Sequence, residues 1–197
     1  MLPWLRKLSA CLWITLALGI AACSPGLNWR TVQSPDEQYT ALFPAKPDKM
    51  ERRVPFQDQE IFQVLQGAKA GDDIFSISAY KLNPQQSALK DPLLLGLQSN
   101  VLKQADSSSS KPTEKTSYYE TTDRQRMPVK DTYLLIPQGQ AGQQRTMRVR
   151  WIARMNPSGA TWIYQVSILH TGSPREDAKA LLANEEYSSF FEGFHPN

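Results

Sequence analysis

Two long alternating stretches, residues 60–70 and 74–82, joined by Ala70-Gly71-Asp72-Asp73, constrain this fold more than any other feature. In the second stretch Phe75, Ile77 and Ala79 alternate with Ser76 and Ser78, so an extended chain there has one apolar face and one small polar face. The Gly-Asp link offers positions that accept positive φ, as a tight connection requires. An isolated hairpin is marginal in water, because its apolar face has nothing to bury against. The rest of the chain therefore has to complete and cover a sheet.

Further strand candidates are plentiful. Residues 28–33 and 38–43, rich in Trp, Val, Tyr and Phe around the turn Ser34-Pro35-Asp36-Glu37, predict a first hairpin. Residues 50–56 predict a third strand, which Pro55 confines to a sheet edge or a strand end. Residues 114–121, 129–136, 144–155 and 160–170 predict four more, with Gly139-Gln140-Ala141-Gly142 and Asn156-Pro157-Ser158-Gly159 as antiparallel turns. Helical signals are fewer. Asp91-Pro92, followed by Leu93, Leu97 and Val101 at four-residue spacing, predicts a helix reaching about Gln104, weakened by Gly96. The polar run from Asp106 through Ser110 to Pro112 reads as a loop. Ser173-Pro174-Arg175-Glu176 is a capping box that predicts a closing helix over 174–191, with Leu181, Leu182, Tyr187, Phe190, Phe191 and Phe194 toward the sheet. With no internal repeat, residues 28–197 are expected to form one α+β domain: a largely antiparallel sheet of about six to eight strands with helices packed on its faces.

The first 22 residues stand apart. Arg6 and Lys7 precede an uncharged, mostly apolar run over 8–22 that stops at Cys23-Ser24-Pro25-Gly26, the layout of an export signal. That run is shorter than the roughly 20 residues a membrane-spanning helix needs. Its last residues, Ile20-Ala21-Ala22-Cys23, resemble the lipobox of bacterial lipoproteins. The resemblance implies that residues 1–22 are removed and that Cys23 carries a diacylglycerol thioether and usually an N-acyl chain such as palmitate. Residues 23–27 would then be a lipidated tether, and two chains suffice for stable anchoring. Ser24, where lipoproteins kept at the inner membrane typically carry Asp, favours the outer membrane facing the periplasm.

Removal of the signal also changes the arithmetic of charge and thiols. Arg6 and Lys7 leave with it, so 20 basic side chains face 19 acidic ones, and nucleic acid loses its electrostatic argument. Cys11 leaves too and Cys23 is acylated, so no disulfide is available and a hydrophobic core alone must hold the domain.

Tyr39-Thr40-Ala41-Leu42-Phe43-Pro44 with Lys46-Pro47, the central hairpins, Thr161-Trp162-Ile163-Tyr164-Gln165-Val166 and the ending Tyr187-Ser188-Ser189-Phe190-Phe191-Glu192-Gly193-Phe194 resemble the PsbP-like and DcrB-like superfamily. That resemblance implies an antiparallel sheet with helices on both faces, and an accessory or assembly role on larger complexes. It carries no catalytic motif and no residue role.

Candidate chemistry is sparse. Ser108, Ser109, Ser110 and Lys111 satisfy Ser-x-x-Lys spacing, but Pro112 removes the helix that would stack serine over lysine, and Lys115-Thr116-Ser117 only approximates the companion motif. His170 and His195 have no second ligand at metal-site spacing, so neither a metal nor a cofactor is expected. Asp72 and Asp73 read as a turn, Glu185 and Glu186 as a solvated helix side. Period-two geometry places Arg148, Arg150 and Arg154 on one strand face and Val149, Trp151 and Ala153 on a core face. The arginine face reads either as a solvated surface or as a patch for lipid head groups, lipopolysaccharide phosphates or an acidic partner, since guanidinium forks grip such anions. The function expected is a membrane-anchored, non-enzymatic accessory factor that contacts an envelope protein. A lipid-binding or small-molecule-binding module and an unrecognised hydrolase are the alternatives.

Overall fold

The computed structural model describes residues 27–105, 111–138, 143–172 and 178–197. The expected signal with Cys23, the serine run at 106–110, the turn at 139–142 and the capping box at 173–176 lie outside the described residues.

Strands dominate. A seven-stranded antiparallel sheet comprises β3 (Asp48–Phe56), β4 (Gln59–Ala70), β5 (Asp73–Leu82), β9 (Thr161–His170), β8 (Gln143–Met155), β7 (Arg126–Gln138) and β6 (Thr113–Glu120), in that spatial order. The central hairpin has the expected register, with Ala70 opposite Asp73 and Val64 opposite Ala79. Pro55 lies in β3, an edge strand, where its missing N–H leaves no ladder bond unmade. A second sheet contains β1 (Arg30–Ser34), β2 (Tyr39–Phe43) and the two-residue β10 (His195–Pro196), in the order β1-β2-β10. The helices are a 3-10 turn at Pro84–Leu89, α1 (Lys90–Leu102), α2 (Ala178–Leu182) and α3 (Glu185–Glu192). No helix among the described residues is long and apolar enough to cross a membrane.

This architecture corrects the expected α+β sandwich. About 55% of the described residues are strand and 20% helical, and the protein is built on two antiparallel sheets with few helices. Two physical causes account for the difference. The β1–β2 hairpin does not extend the large sheet but lies over one of its faces, burying Tyr39, Ala41 and Phe43 there. The predicted closing helix is interrupted at Ala183-Asn184, where extended Asn184 accepts a hydrogen bond from the Tyr187 amide and starts α3 afresh.

Both faces of the large sheet are covered. On one, Phe75, Ile77, Ile152, Tyr164, Val166 and Ile168 meet Tyr39 and Phe43 from β2, Leu182 from α2, and Phe190, Phe191 and Phe194 from the C-terminal segment. The rings meet mostly edge to face, with Phe190 centred 5.3 Å from Phe75 and 5.4 Å from Phe43. Each such ring contributes about 1.5–3 kcal/mol by burial. On the other face, α1 and the 3-10 turn set Leu89 and Leu93 against Ile61, Tyr80, Leu82 and Ile163, and Val101 against Leu134 and Val149.

The two ends of the sheet differ. The chain comes in beside the β4–β5 turn: Trp29 packs edge-on against Phe75 at 6.1 Å, and Asn28 N–H donates to the Pro44 carbonyl at 2.9 Å. At the opposite end the turns are tied together. Asn197 N–H donates to the Gln38 carbonyl at 2.9 Å, Asn156 Nδ2 to Gln38 Oε1 at 3.2 Å, and Thr122 N–H to the Pro196 carbonyl at 3.1 Å.

Candidate functional site: a buried arginine pair and the groove beside it

Alternation along β8 does put Arg148, Arg150 and Arg154 on one face, but that face points inward. Arg148 is 4% exposed and Arg150 fully buried, beneath α2 and α3. Both expectations for an arginine surface, solvated or recognising a partner, are corrected for these two residues. The reason lies in the second layer: the segment after β9 folds back over this face, so Val149 lies under α1 while the arginines lie under α2 and α3. Arg154 is only half-buried, with Nε 3.4 Å from the Asn197 carbonyl.

Asp131 of β7, opposite Arg150 in register, holds the pair. Its Oδ1 accepts from Arg150 Nε at 2.6 Å, and its Oδ2 accepts from Arg148 Nη2 at 2.6 Å and from Arg150 Nη2 at 3.1 Å. One carboxylate against two guanidinium groups leaves a positive charge in a dry interior. Backbone carbonyls at helix ends answer it: Arg148 Nη1 donates to Leu182 at 3.0 Å and Arg150 Nη1 to Phe191 at 2.9 Å. Carbonyls in the last turn of a helix have no intrahelical donor and carry the negative end of the helix dipole. Ser188 and Ser117 hydroxyls accept further bonds, and the Arg148 guanidinium lies 3.9 Å from the Phe191 ring centroid. Chemically the cluster is a latch that fastens α2 and α3 to the sheet. Asp131 was not singled out from sequence, although Val129-x-Asp131-x-Tyr133-x-Leu135 places it on an otherwise apolar face.

Ser117 also lines a groove of about 300 Å³ together with Tyr118, Tyr119, Glu120, Arg126, Glu192 and His195. It opens where β6 ends and β7 begins, at the end of the sheet opposite Leu27. The Arg126 guanidinium stacks 4.1 Å from the Tyr118 ring centroid. His195 Nδ1 is 3.0 Å from the Glu120 carbonyl, which can only accept, so Nδ1 carries a proton. Two carboxylates, a stacked guanidinium, an imidazole and two phenol rings suit the recognition of polypeptide side chains. β6 pairs with β7 alone among the described strands, so its other edge offers main-chain groups alongside the groove.

The remaining candidates scatter. His170 Nδ1 lies 2.7 Å from Asp73 Oδ1, and Tyr187 hydroxyl donates to Asp73 Oδ2 at 2.9 Å, so Asp73 joins β5, β9 and α3 rather than merely forming a turn. Asp72, Glu185 and Glu186 are exposed. Among the described residues no group of three His, Cys, Asp or Glu could hold a metal ion. No protein-family model matches this chain, and no curated protein matches it, so no residue role reaches these side chains from outside.

Proposed function

We propose that this chain is a lipid-anchored envelope protein, held through Cys23 and favoured at the periplasmic face of the outer membrane, that serves as an accessory or assembly factor by contacting a protein partner. Its partner engages the β6 edge and the groove lined by Tyr118, Arg126 and His195. One observation carries this reading: the groove and the open strand edge lie at the end of the sheet away from Leu27, where the chain runs toward Cys23. A tethered protein that works by contact presents that end to the cell compartment. The other edge strand, β3, is a poorer dock, because Lys49, Glu51, Arg52, Arg53 and Pro55 discourage strand addition.

A photoreactive side chain at Tyr118 should yield a defined adduct in intact cells, one that Arg126→Glu or Cys23→Ala abolishes. The same probe at Arg53 should give none. An adduct from Arg53 alone, or none from Tyr118 in a folded and acylated protein, would sink the reading. The lipid-binding or small-molecule reading rests on a second groove, about 180 Å³, between α1 and β3–β5. There Val54, Phe56, Leu93 and Leu97 surround a chain in which Arg52 Nε donates to Gln63 Oε1 at 2.6 Å and Gln63 Nε2 to the Tyr80 hydroxyl at 2.9 Å. That space is below the roughly 300–1,000 Å³ usual for a small-molecule site.

A further inference from the structure

Only Ser24, Pro25 and Gly26 separate Cys23 from Leu27. At about 3.5 Å per residue even an extended chain holds Leu27 within roughly 14 Å of an acylated Cys23. What the domain carries at that end is therefore brought to the lipid surface whenever the anchor is in place. Arg30 is in register with Phe43 where β1 starts, and Lys46 lies in the link that follows β2. Lys69 is in register with Ile74 beside the β4–β5 turn. Ile74, Leu169, Met147 and Leu134 continue that row across the sheet, and Leu134 packs under Val101, so Lys103 at the end of α1 belongs to the same end of the molecule.

Arg30, Lys46, Lys69 and Lys103 are exposed, and none makes an ion pair with a described residue. Elsewhere on the surface Lys49 and Lys130 are matched to Glu37 and Glu114, while Lys81, Lys115 and Arg124 are exposed without an ion pair among the described residues. Two large apolar side chains lie beside two of the four cations at the Leu27 end: Ile74, 38% exposed, opposite Lys69, and Leu102, 43% exposed, next to Lys103 in the chain. Among the described residues the acids at this end are Asp48 and Asp72, Asp73 held by His170 and Tyr187, and Glu185 and Glu186 in the first turn of α3, the helix whose Tyr187 reaches Asp73.

We infer that this end of the domain, with Arg30, Lys46, Lys69 and Lys103 and the exposed Ile74 and Leu102, docks on anionic lipid head groups, so that the anchor sets orientation as well as location. The inference rests on the lipoprotein reading. Phosphate-bearing head groups attract the four side chains, each contributing roughly fivefold to the docked population, and the two apolar side chains enter the interfacial layer. Docking also turns the β6 groove away from the membrane.

The test uses the full-length acylated protein reconstituted into phosphatidylcholine vesicles with or without phosphatidylglycerol, carrying a fluorescent acceptor on the head groups. Because Cys23 is acylated, a donor dye attaches only to an introduced thiol, Asp72→Cys at the docking end or Gln85→Cys at the far end. Energy transfer from position 72 should exceed that from position 85 severalfold in phosphatidylglycerol vesicles. It should drop toward the position 85 value in plain phosphatidylcholine, with added salt, or when the four basic residues become Gln. The salt titration on the unsubstituted surface keeps the test sound should the fourfold variant fold poorly. Equal transfer from both positions, or transfer from position 72 indifferent to lipid charge and salt, overturns the inference. The intact mass separates the two claims: no acyl mass on Cys23 removes the lipoprotein reading and this inference together, while an acylated protein without orientation removes this inference alone.

Discussion

Asp131 holds two arginines at once beneath α2 and α3. It faces two guanidinium groups in a fully buried setting, and both arginines also reach carbonyls of α2 and α3. Removing one partner of a buried ion pair leaves uncompensated charge, at a cost of about 3–5 kcal/mol. Asp131→Ala should therefore melt well below the parent protein. Arg150→Gln keeps the Asp131–Arg148 pair but leaves the buried Phe191 carbonyl and the Ser117 hydroxyl without their donor, so it should lose about 1–3 kcal/mol in urea unfolding. Arg154→Gln, half-buried and with one long bond, should shift stability by no more than about 0.5 kcal/mol. Similar losses for Arg150→Gln and Arg154→Gln would contradict the latch. At this scale the sequence was only half legible. Period two grouped the arginines correctly, but a strand pattern cannot say which face the rest of the chain will cover.

At the scale of elements, two glycines make opposite predictions. A Cβ on Gly96 of α1 would find its nearest neighbour at 3.5 Å, the ring of Phe56, an ordinary contact. Gly96→Ala should thus stabilise the protein by up to about 1 kcal/mol through helix propensity. A Cβ on Gly193, just past α3, would lie 2.5 Å from Leu42 Cβ and 3.0 Å from the Ser189 carbonyl, so Gly193→Ala should destabilise. Thermal melts of the two variants moving in the same direction would refute this packing. Element types and most strands were readable because alternation and turn chemistry are local. The starts and breaks were less so. α1 was expected to begin at Asp91-Pro92, yet Asn83 with Gln86 forms a capping box that opens the 3-10 turn leading into it. The β3–β4 turn rests on Gln57 and Asp58 at φ 47° and 59°, positions no glycine advertises.

For the whole molecule, the two-layer core makes a prediction about alkali. Burial raises the hydroxyl pKa of Tyr39 and Tyr164 far above the usual tyrosine value, and raises Tyr80 and Tyr133 in the same direction. The folded state thus keeps protons that the unfolded chain releases. The stability these groups contribute is fully present below pH ~10 and falls as pH rises beyond it, by about 1.4 kcal/mol per pH unit for each such tyrosine. Tyrosinate absorbance from these residues should appear in the same cooperative step that abolishes circular dichroism. Titration of all seven tyrosines near pH ~10 with the native spectrum intact would contradict the burial described.

What the sequence determined by itself is whatever depends on near neighbours: the long β4–β5 hairpin, the edge position of β3, the Asn156–Gly159 turn and the helical spacing of α1. Only the tertiary structure decided that the β1–β2 hairpin forms a separate sheet over the large one, that the closing helix breaks at Asn184, and that Arg148 and Arg150 are interior. The physical reason is one of range. Dihedral preference and alternation act over a few residues, whereas burial of a strand face depends on segments dozens of positions away, and here α2 and α3 supplied the cover that turned a charged strand face into a buried latch.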